Sequence, residues 1–188
     1  MPVSTIDPKA ALVVVDLQKG LLGAPTTPLP MNEVVRQAAR LARAFRAHGL
    51  PVVLVNVEGG APGRTEAGGH SGAQRPADWS ELADDLEAQP GDIRITKQRW
   101  SAFHGTPLHD ALSQLGVTQT VVSGVATSVG VEGTARGAYD NGYNVVLALD
   151  AMSDIDAAAH ANSVERIFPR LGEIASVERI IELLAERS

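Results

Sequence analysis

The stretch that decides the fold runs from Val121 to Tyr143 and reads VVSGVATSVGVEGTARGAYDNGY. Its apolar start is typical of a buried strand and its glycine-containing middle is typical of a turn. The remainder of the stretch is typical of a helix. Such a turn presents backbone N–H groups and the positive end of the helix dipole to a pocket, where a carboxylate or oxyanion binds well. A nucleophile is expected at the helix start, but Gly130 carries no side chain and the chain has no cysteine. The stretch therefore predicts an anion-binding turn without a thiol.

Outside this stretch, continuous β-branched runs predict strands buried on both faces, as in a parallel sheet. These runs are Val13–Val15, Val52–Val55, Thr120–Val122 and Val145–Leu149. Amphipathic patterns between them, each followed by a glycine, predict the helices Asn32–His48, Thr106–Leu115 and Ser128–Asn141. Thr106 and Pro107 form a favourable N-cap and first-turn pair, and Gly172 to Arg187 predicts an edge strand and a closing helix. The alternation indicates an α/β fold: a doubly wound, mostly parallel six-stranded sheet with helices on both faces.

Composition narrows the class of protein. With 188 residues, 44% of them hydrophobic, the chain suits a single domain over residues 1–188. A net charge of -6 argues against nucleic acid and anionic membranes as partners. The sequence has neither a long apolar run nor a secretory-signal pattern, so we expect a cytoplasmic protein. The absence of cysteine excludes disulfides and thiolate metal sites.

Three motifs resemble those of the isochorismatase-like hydrolase superfamily, which includes nicotinamidases, N-carbamoyl amide hydrolases and isochorismatases. AALVVVDLQKGLL, from Ala10 to Leu22, resembles the opening strand with its catalytic aspartate, which falls on Asp16. ITKQRWSAFHGTPL, from Ile95 to Leu108, resembles the segment of the active-site lysine, which falls on Lys97. The stretch quoted first resembles the segment of the nucleophilic cysteine. With DAMSD at Asp150 to Asp154, the resemblance spans nearly the whole chain.

Gly130 occupies the place of that cysteine, so a thioester mechanism does not transfer to this chain. The resemblance then implies non-covalent hydrolysis of a small, anionic metabolite, as in isochorismatases, where a vinyl ether is cleaved by proton delivery and water. GVATSVGVEGTARGAYDNGY is closer still to cysteine-less relatives without an established substrate. The resemblance also implies a cis peptide between Val125 and Ala126, whose amide would hold the substrate together with that of Gly130. We expect the bare Gly130 to leave room for a bulkier substrate or for water.

Asp16 follows the run Val13–Val15, and Lys97 ends a further predicted strand, Ile93 to Thr96. Both residues are therefore expected at the sheet edge where open α/β folds bind ligands. A post-strand Asp16 commonly caps its own turn, but the family match favours an acid or base that shuttles a proton. Lys97 is either a solvated surface group or, as the match favours, a cation that pairs with Asp16 and stabilises developing negative charge. Arg99 either binds a substrate carboxylate or makes a surface ion pair.

Other side chains admit two interpretations each. Trp100 and Phe103 would wall the substrate pocket or pack in the core. Ser128 would cap the helix, or replace the missing nucleophile. The region from Glu58 to Pro76 predicts a long surface loop or a lid. Its Glu58 and His70 gave the only hint of a metal site, and we predict no metal and no cofactor.

We expect a small-molecule substrate and a homo-oligomer, either a dimer or a tetramer. Two alternatives remain beside the non-covalent hydrolase. One is a catalytically silent binder that retains the pocket, and the other is an amidase that uses Ser128 or an activated water.

Overall fold

The computed structural model describes residues 3–66 and 75–186, which form one α/β domain around a six-stranded sheet. Every strand pair is parallel and the spatial order is β3-β2-β1-β4-β5-β6. The strands are β1 Ala10–Val15, β2 Val52–Val57, β3 Ile93–Lys97, β4 Gln119–Gly124, β5 Asn144–Met152 and β6 Glu173–Ala175. The predicted fold class is therefore confirmed. Because the order reverses between β1 and β4, the carboxyl ends of these two strands open the crevice where such folds bind ligands.

Helices cover both faces of the sheet. They are α1 Met31–Ala47, α2 Leu108–Gln114, α3 Glu132–Asp140, α4 Ala157–Asn162, α5 Phe168–Leu171 and α6 Val177–Ala185. Side chains from α1 and α6 form one apolar core, and side chains from α2, α3 and α5 form the other. Within the described residues, no helix has the length and apolar character needed to cross a membrane.

The predicted helix ends agree with the structure better than the predicted starts. Gly49, Gly116 and Gly142 follow α1, α2 and α3 with φ angles of 66°, 68° and 84°, the left-handed conformation expected after a helix. The helix predicted from Thr106 begins instead at Leu108, and Pro107 is its N-cap. The Thr106 hydroxyl still accepts the Leu108 N–H at 3.3 Å, because the chain bends sharply before the helix.

The chain after β3 packs unusually close to α3. A Cβ added to Gly133 would lie 2.9 Å from Cβ of Trp100 and 3.0 Å from its carbonyl carbon. One turn later, a Cβ on Gly137 would meet the side chains of Ser101 and Phe103. Glycine at position 133 lets the main chain that follows β3 lie directly on the backbone of the helix, and glycine at position 137 leaves room for these two side chains.

The segment before β3, from Trp79 to Ala83, is hydrogen-bonded to the chain that follows β1, from Leu17 to Gly20. Lys19 and Gly20 donate their N–H groups to the carbonyls of Glu81 and Trp79 at 2.8 and 2.9 Å, and Ala83 N–H donates to Leu17 O at 2.9 Å.

The loop predicted from Glu58 to Pro76 lies in part, with His70, outside the described residues.

Candidate active site

Asp16 stands at the carboxyl end of β1, where the central strand leaves the sheet. Its N–H donates to Val55 O at 2.9 Å, and its φ of 56° lies in the left-handed region, which aspartate tolerates better than most residues. This conformation ends the strand and leaves the residue only 6% exposed. A carboxylate in that position needs a partner, because an unpaired buried charge is very costly.

The partner is Lys97, the last residue of β3. Its ammonium Nζ lies 2.7 Å from Asp16 Oδ2 and donates a second hydrogen bond to Arg99 O at 3.0 Å. The lysine is 3% exposed, so the pair is shielded from water and salt. The two strongest candidates from the sequence are thus brought together, and their interpretations as a turn cap and a surface group do not fit their burial.

Burial dominates the electrostatics of this pair. Loss of hydration raises the pKa of Asp16 from its ordinary 3.8 to about 6, and the attraction and hydrogen bond of Lys97 only partly offset that effect. Its second oxygen, Oδ1, is buried and has no hydrogen-bond partner among the described residues. A buried carboxyl with one unsatisfied oxygen and a pKa near neutrality is suited to exchange a proton with a ligand.

The turn after β4 completes the cluster. The peptide bond between Val125 and Ala126 is cis, as the resemblance implies, and a π-helical turn over Thr127–Val131 leads into α3. The space above Gly130 is not vacant, which corrects the expectation that it leaves room for substrate. A Cβ there would lie 2.9 Å from each of three atoms: Asp16 Oδ2, Val125 O and Val15 Cγ1.

Most amides of this turn are already used. Val125 N–H donates to Val15 O at 3.0 Å, and the N–H groups of Val129 and Val131 both donate to Ala126 O. The Ala126 N–H has no acceptor in residues 3–66 and 75–186. An unpaired donor beside a buried carboxyl is a candidate contact for an acceptor group of a ligand.

Sequence reasoning missed the residues that hold this turn from outside. Ser128 was predicted to cap the helix, but it lies within the π-helical turn, and its own N–H donates to Asp154 Oδ2 at 2.7 Å. Thr127 Oγ1 lies 2.9 Å from His160 Nδ1. Asp154 closes the DAMSD motif, which was the available signal, but local patterns do not reveal that its carboxylate reaches back to residue 128.

The other predicted substrate-binding residues are spread out. Arg99 lines a surface cavity of about 320 Å³ with Thr96, Gln98, His104 and Gly105, and its guanidinium donates to the carbonyl of Gln98 at 3.0 Å. Trp100 is 65% exposed beside α3. Phe103 is buried and packs against Tyr143 with ring centres 5.8 Å apart, so it belongs to the core and not to the Asp16 cluster.

Histidine and carboxylate side chains do not gather into a metal site in the part of the chain that the structure describes. Glu58 lies in that part and His70 does not, so the hint of a metal from this pair stays untested.

Comparisons with known proteins identify the family of this chain. The family described as "Isochorismatase domain" matches residues 10–179. The chain is 41% identical to the uncharacterized isochorismatase family protein YecD of Escherichia coli O157:H7, over 93% of this chain and 95% of YecD. It is 33% identical to the ureidoacrylate amidohydrolase RutB of Methylobacterium radiotolerans, over 77% of this chain and 66% of RutB.

Among solved structures, an isochorismatase family protein from Burkholderia thailandensis is 38% identical and superimposes with a TM-score of 0.91. The alignment covers 96% of this chain and 98% of that one. Both the match over most of the chain and the shared fold lead to the same assignment. This chain belongs to the isochorismatase family, a family of hydrolases.

Proposed function

We propose that this protein hydrolyses a small, anionic metabolite without a covalent intermediate, as a member of a cysteine-less branch with Gly130 at the nucleophile position. The observation that carries the proposal is the buried pair of Asp16 and Lys97, 2.7 Å apart, beside a position where the chain has neither a side chain nor a free space. A protein nucleophile has no place there. The bond that is broken is a vinyl ether or an amide-like bond.

For a vinyl ether the steps balance with water as the only co-reactant. Protonated Asp16 gives its proton to the terminal alkene carbon, and positive charge develops on the carbon that bears the ether oxygen. Water adds to that carbon, and the resulting hemiketal collapses to a ketone and an alcohol. The proton released by water returns to Asp16. General acid catalysis of this kind is worth about 10²–10⁴-fold.

Lys97 and the turn have separate tasks in this scheme. The ammonium of Lys97 holds Asp16 in place and stabilises the carboxylate that forms when the proton leaves. The N–H of Ala126, unpaired among the described residues, donates to an acceptor oxygen of the substrate, and the amide of Gly130 lies on the same turn. These donors, together with the ammonium, favour an anionic substrate.

The pH dependence of turnover reveals which direction the proton takes. Burial places the pKa of Asp16 at about 6, so the protonated form falls to roughly a tenth by pH 7. If Asp16 is the donor, kcat/KM, which reports the pKa values of the free enzyme, should be highest below pH 6 and fall about tenfold per pH unit above it. The measurement is a pH–rate profile, with circular dichroism at each pH to confirm folding. A rise through pH 6 would make Asp16 a base instead.

A turnover screen against a pool of small anionic metabolites tests the proposal directly. Since the chain has no cysteine, we expect iodoacetamide to leave any activity unchanged and intact-mass spectrometry to detect no acyl adduct during turnover. An adduct on Ser128 would replace this mechanism with the serine amidase. Saturable binding without product, across the pool, would favour the silent binder.

We further propose that the protein acts in the cytoplasm as a homo-oligomer, a dimer or a tetramer. Two exposed side chains support the homo-oligomer. Trp100 and Ile155 are large and apolar but 65% and 69% exposed, and both lie just after strands that end at the site. Large exposed apolar groups are enriched at interfaces. Light scattering against the 19.7 kDa mass of one chain measures the number of copies.

A further inference from the structure

The segment that follows β5, from Ser153 to His160, makes three hydrogen-bond contacts with the turn between Val125 and Gly130. Ser153 O accepts the Thr127 N–H at 2.9 Å, and Asp154 Oδ2 accepts the Ser128 N–H at 2.7 Å. His160 Nδ1 lies 2.9 Å from the Thr127 hydroxyl oxygen. Two consecutive amides of the turn therefore meet two consecutive residues of the segment, and a side chain of the turn meets α4.

Among the residues that make these contacts, Asp154 carries a carboxylate, and it is only 1% exposed. Among residues 3–66 and 75–186 it forms no ion pair with lysine or arginine. Three backbone N–H groups satisfy it: Oδ1 accepts from Ile155 at 2.8 Å and from Asp156 at 3.3 Å, and Oδ2 accepts from Ser128. A carboxylate buried without a cation is stable only with such donors. Its negative charge therefore acts on these backbone donors, one of which belongs to the turn. It also acts on His160, where it partly offsets the lowering of the pKa by burial.

The geometry points to Asp154 as a positioning residue that fixes the turn, takes the Ser128 N–H out of use and keeps the Ala126 N–H free for the ligand. The inference rests on the proposed function in one respect, namely that the turn binds the substrate. It goes beyond the proposed function because neither the motif nor the Asp16 pair assigns a role to Asp154.

The turn is coupled to Asp16 through Gly130. An ideal Cβ on this glycine would lie 2.9 Å from Asp16 Oδ2, so the glycine backbone shields the carboxyl from water. If the turn loosens, water reaches Asp16 and the desolvation that raises its pKa is reduced. The pKa of Asp16 therefore reports on the position of the turn, and no substrate is needed to read it.

The test is Asp154→Asn in the full chain, with Asp156→Asn as the matched control. Asparagine keeps the size of the side chain, but its NH₂ group must face one of the two sets of N–H donors. We expect the Ser128 amide to exchange its hydrogen about tenfold faster or more, and the Asp16 pKa, measured by carboxyl ¹³C NMR, to fall from about 6 toward 3.8. Asp156 caps α4 by accepting the Ala159 N–H at 2.9 Å, so its variant should change neither.

Unchanged exchange at Ser128, or faster exchange with an unchanged Asp16 pKa, would overturn the inference, since the second outcome leaves Asp154 as a local cap only. If Asp154→Asn does not fold, the unmodified protein decides. A through-hydrogen-bond scalar coupling from Ser128 ¹⁵N to Asp154 ¹³Cγ supports the contact, and its absence refutes it. Because these readouts require no turnover, a failed substrate screen leaves this result standing, and a failure here leaves the screen unaffected.

Discussion

Asp16→Asn should lower turnover by roughly a hundredfold or more, the usual effect of removing a general acid or base. The substitution removes the exchangeable proton but keeps the shape of the side chain. Asparagine also tolerates the left-handed conformation at this position, and its oxygen still accepts a hydrogen bond from Lys97. The fold should survive, but with a lower melting temperature, because the buried Lys97 ammonium loses its counter-charge. Steady-state kinetics and a thermal melt measure the two effects.

Asp92→Asn is the matched control for this variant. The Asp92 carboxylate is 3% exposed and pairs with Arg46 at 2.7 Å, so it is also a buried, paired carboxylate, but it precedes β3 at the opposite end of the sheet. Its loss should cost stability and leave kcat unchanged. If Asp16→Asn folds and retains activity within a few-fold, Asp16 has no part in the chemistry.

Gly130→Ala is expected to damage both the fold and the site. Its Cβ would lie 2.9 Å from Asp16 Oδ2 and from Val125 O, and the carbonyl belongs to the backbone and cannot rotate away. Overpacking of this kind costs about 1–3 kcal/mol of unfolding free energy, and the displaced Asp16 would lose its contact with Lys97. The unfolding free energy, measured by denaturant titration, and the turnover rate should both fall. Gly23→Ala is the control, because a Cβ at Gly23 meets no atom within 4 Å.

Gly130→Cys adds the same Cβ and a sulfur, so we expect at least as large a loss of stability. The cysteine of the thiol-dependent relatives is thus not recovered by one substitution. A stable Gly130→Cys protein whose thiol reacts quickly at neutral pH would contradict this, because a low thiol pKa requires that the turn and Lys97 keep their positions around residue 130.

Much of the fold could be predicted because its signals are local. Continuous β-branched runs gave the buried strands, and glycines gave the helix ends, since a left-handed residue after a helix depends on its own φ angle. Asp16 and Lys97 could be placed together because parallel strands end at one edge of the sheet. Each of these inferences needs only neighbouring residues or the topology.

The remainder depends on contacts between distant parts of the chain. The Ser128 N–H meets a carboxylate 26 residues away, so the expectation that Ser128 itself caps the helix was wrong although the local pattern suited it. Phe103 lies in the same segment as Lys97 but turns into the core, because Gly137 leaves space for its ring. The crowding at Gly130 likewise arises from two other strand ends. The hydrophobic periodicity of a sequence carries no information about such contacts between distant residues.

The two glycines of α3 have a consequence for the width of the site. Gly133 lets the backbone at Trp100 and Ser101 contact the helix directly, and Gly137 leaves room for the side chains of Ser101 and Phe103. The same helix continues from the turn that contains Gly130. We therefore expect the position of the chain after Lys97, relative to the turn, to be fixed in part by a backbone contact that has no rotamers to adjust. We expect a site whose width is fixed in this way to select ligands by their dimensions.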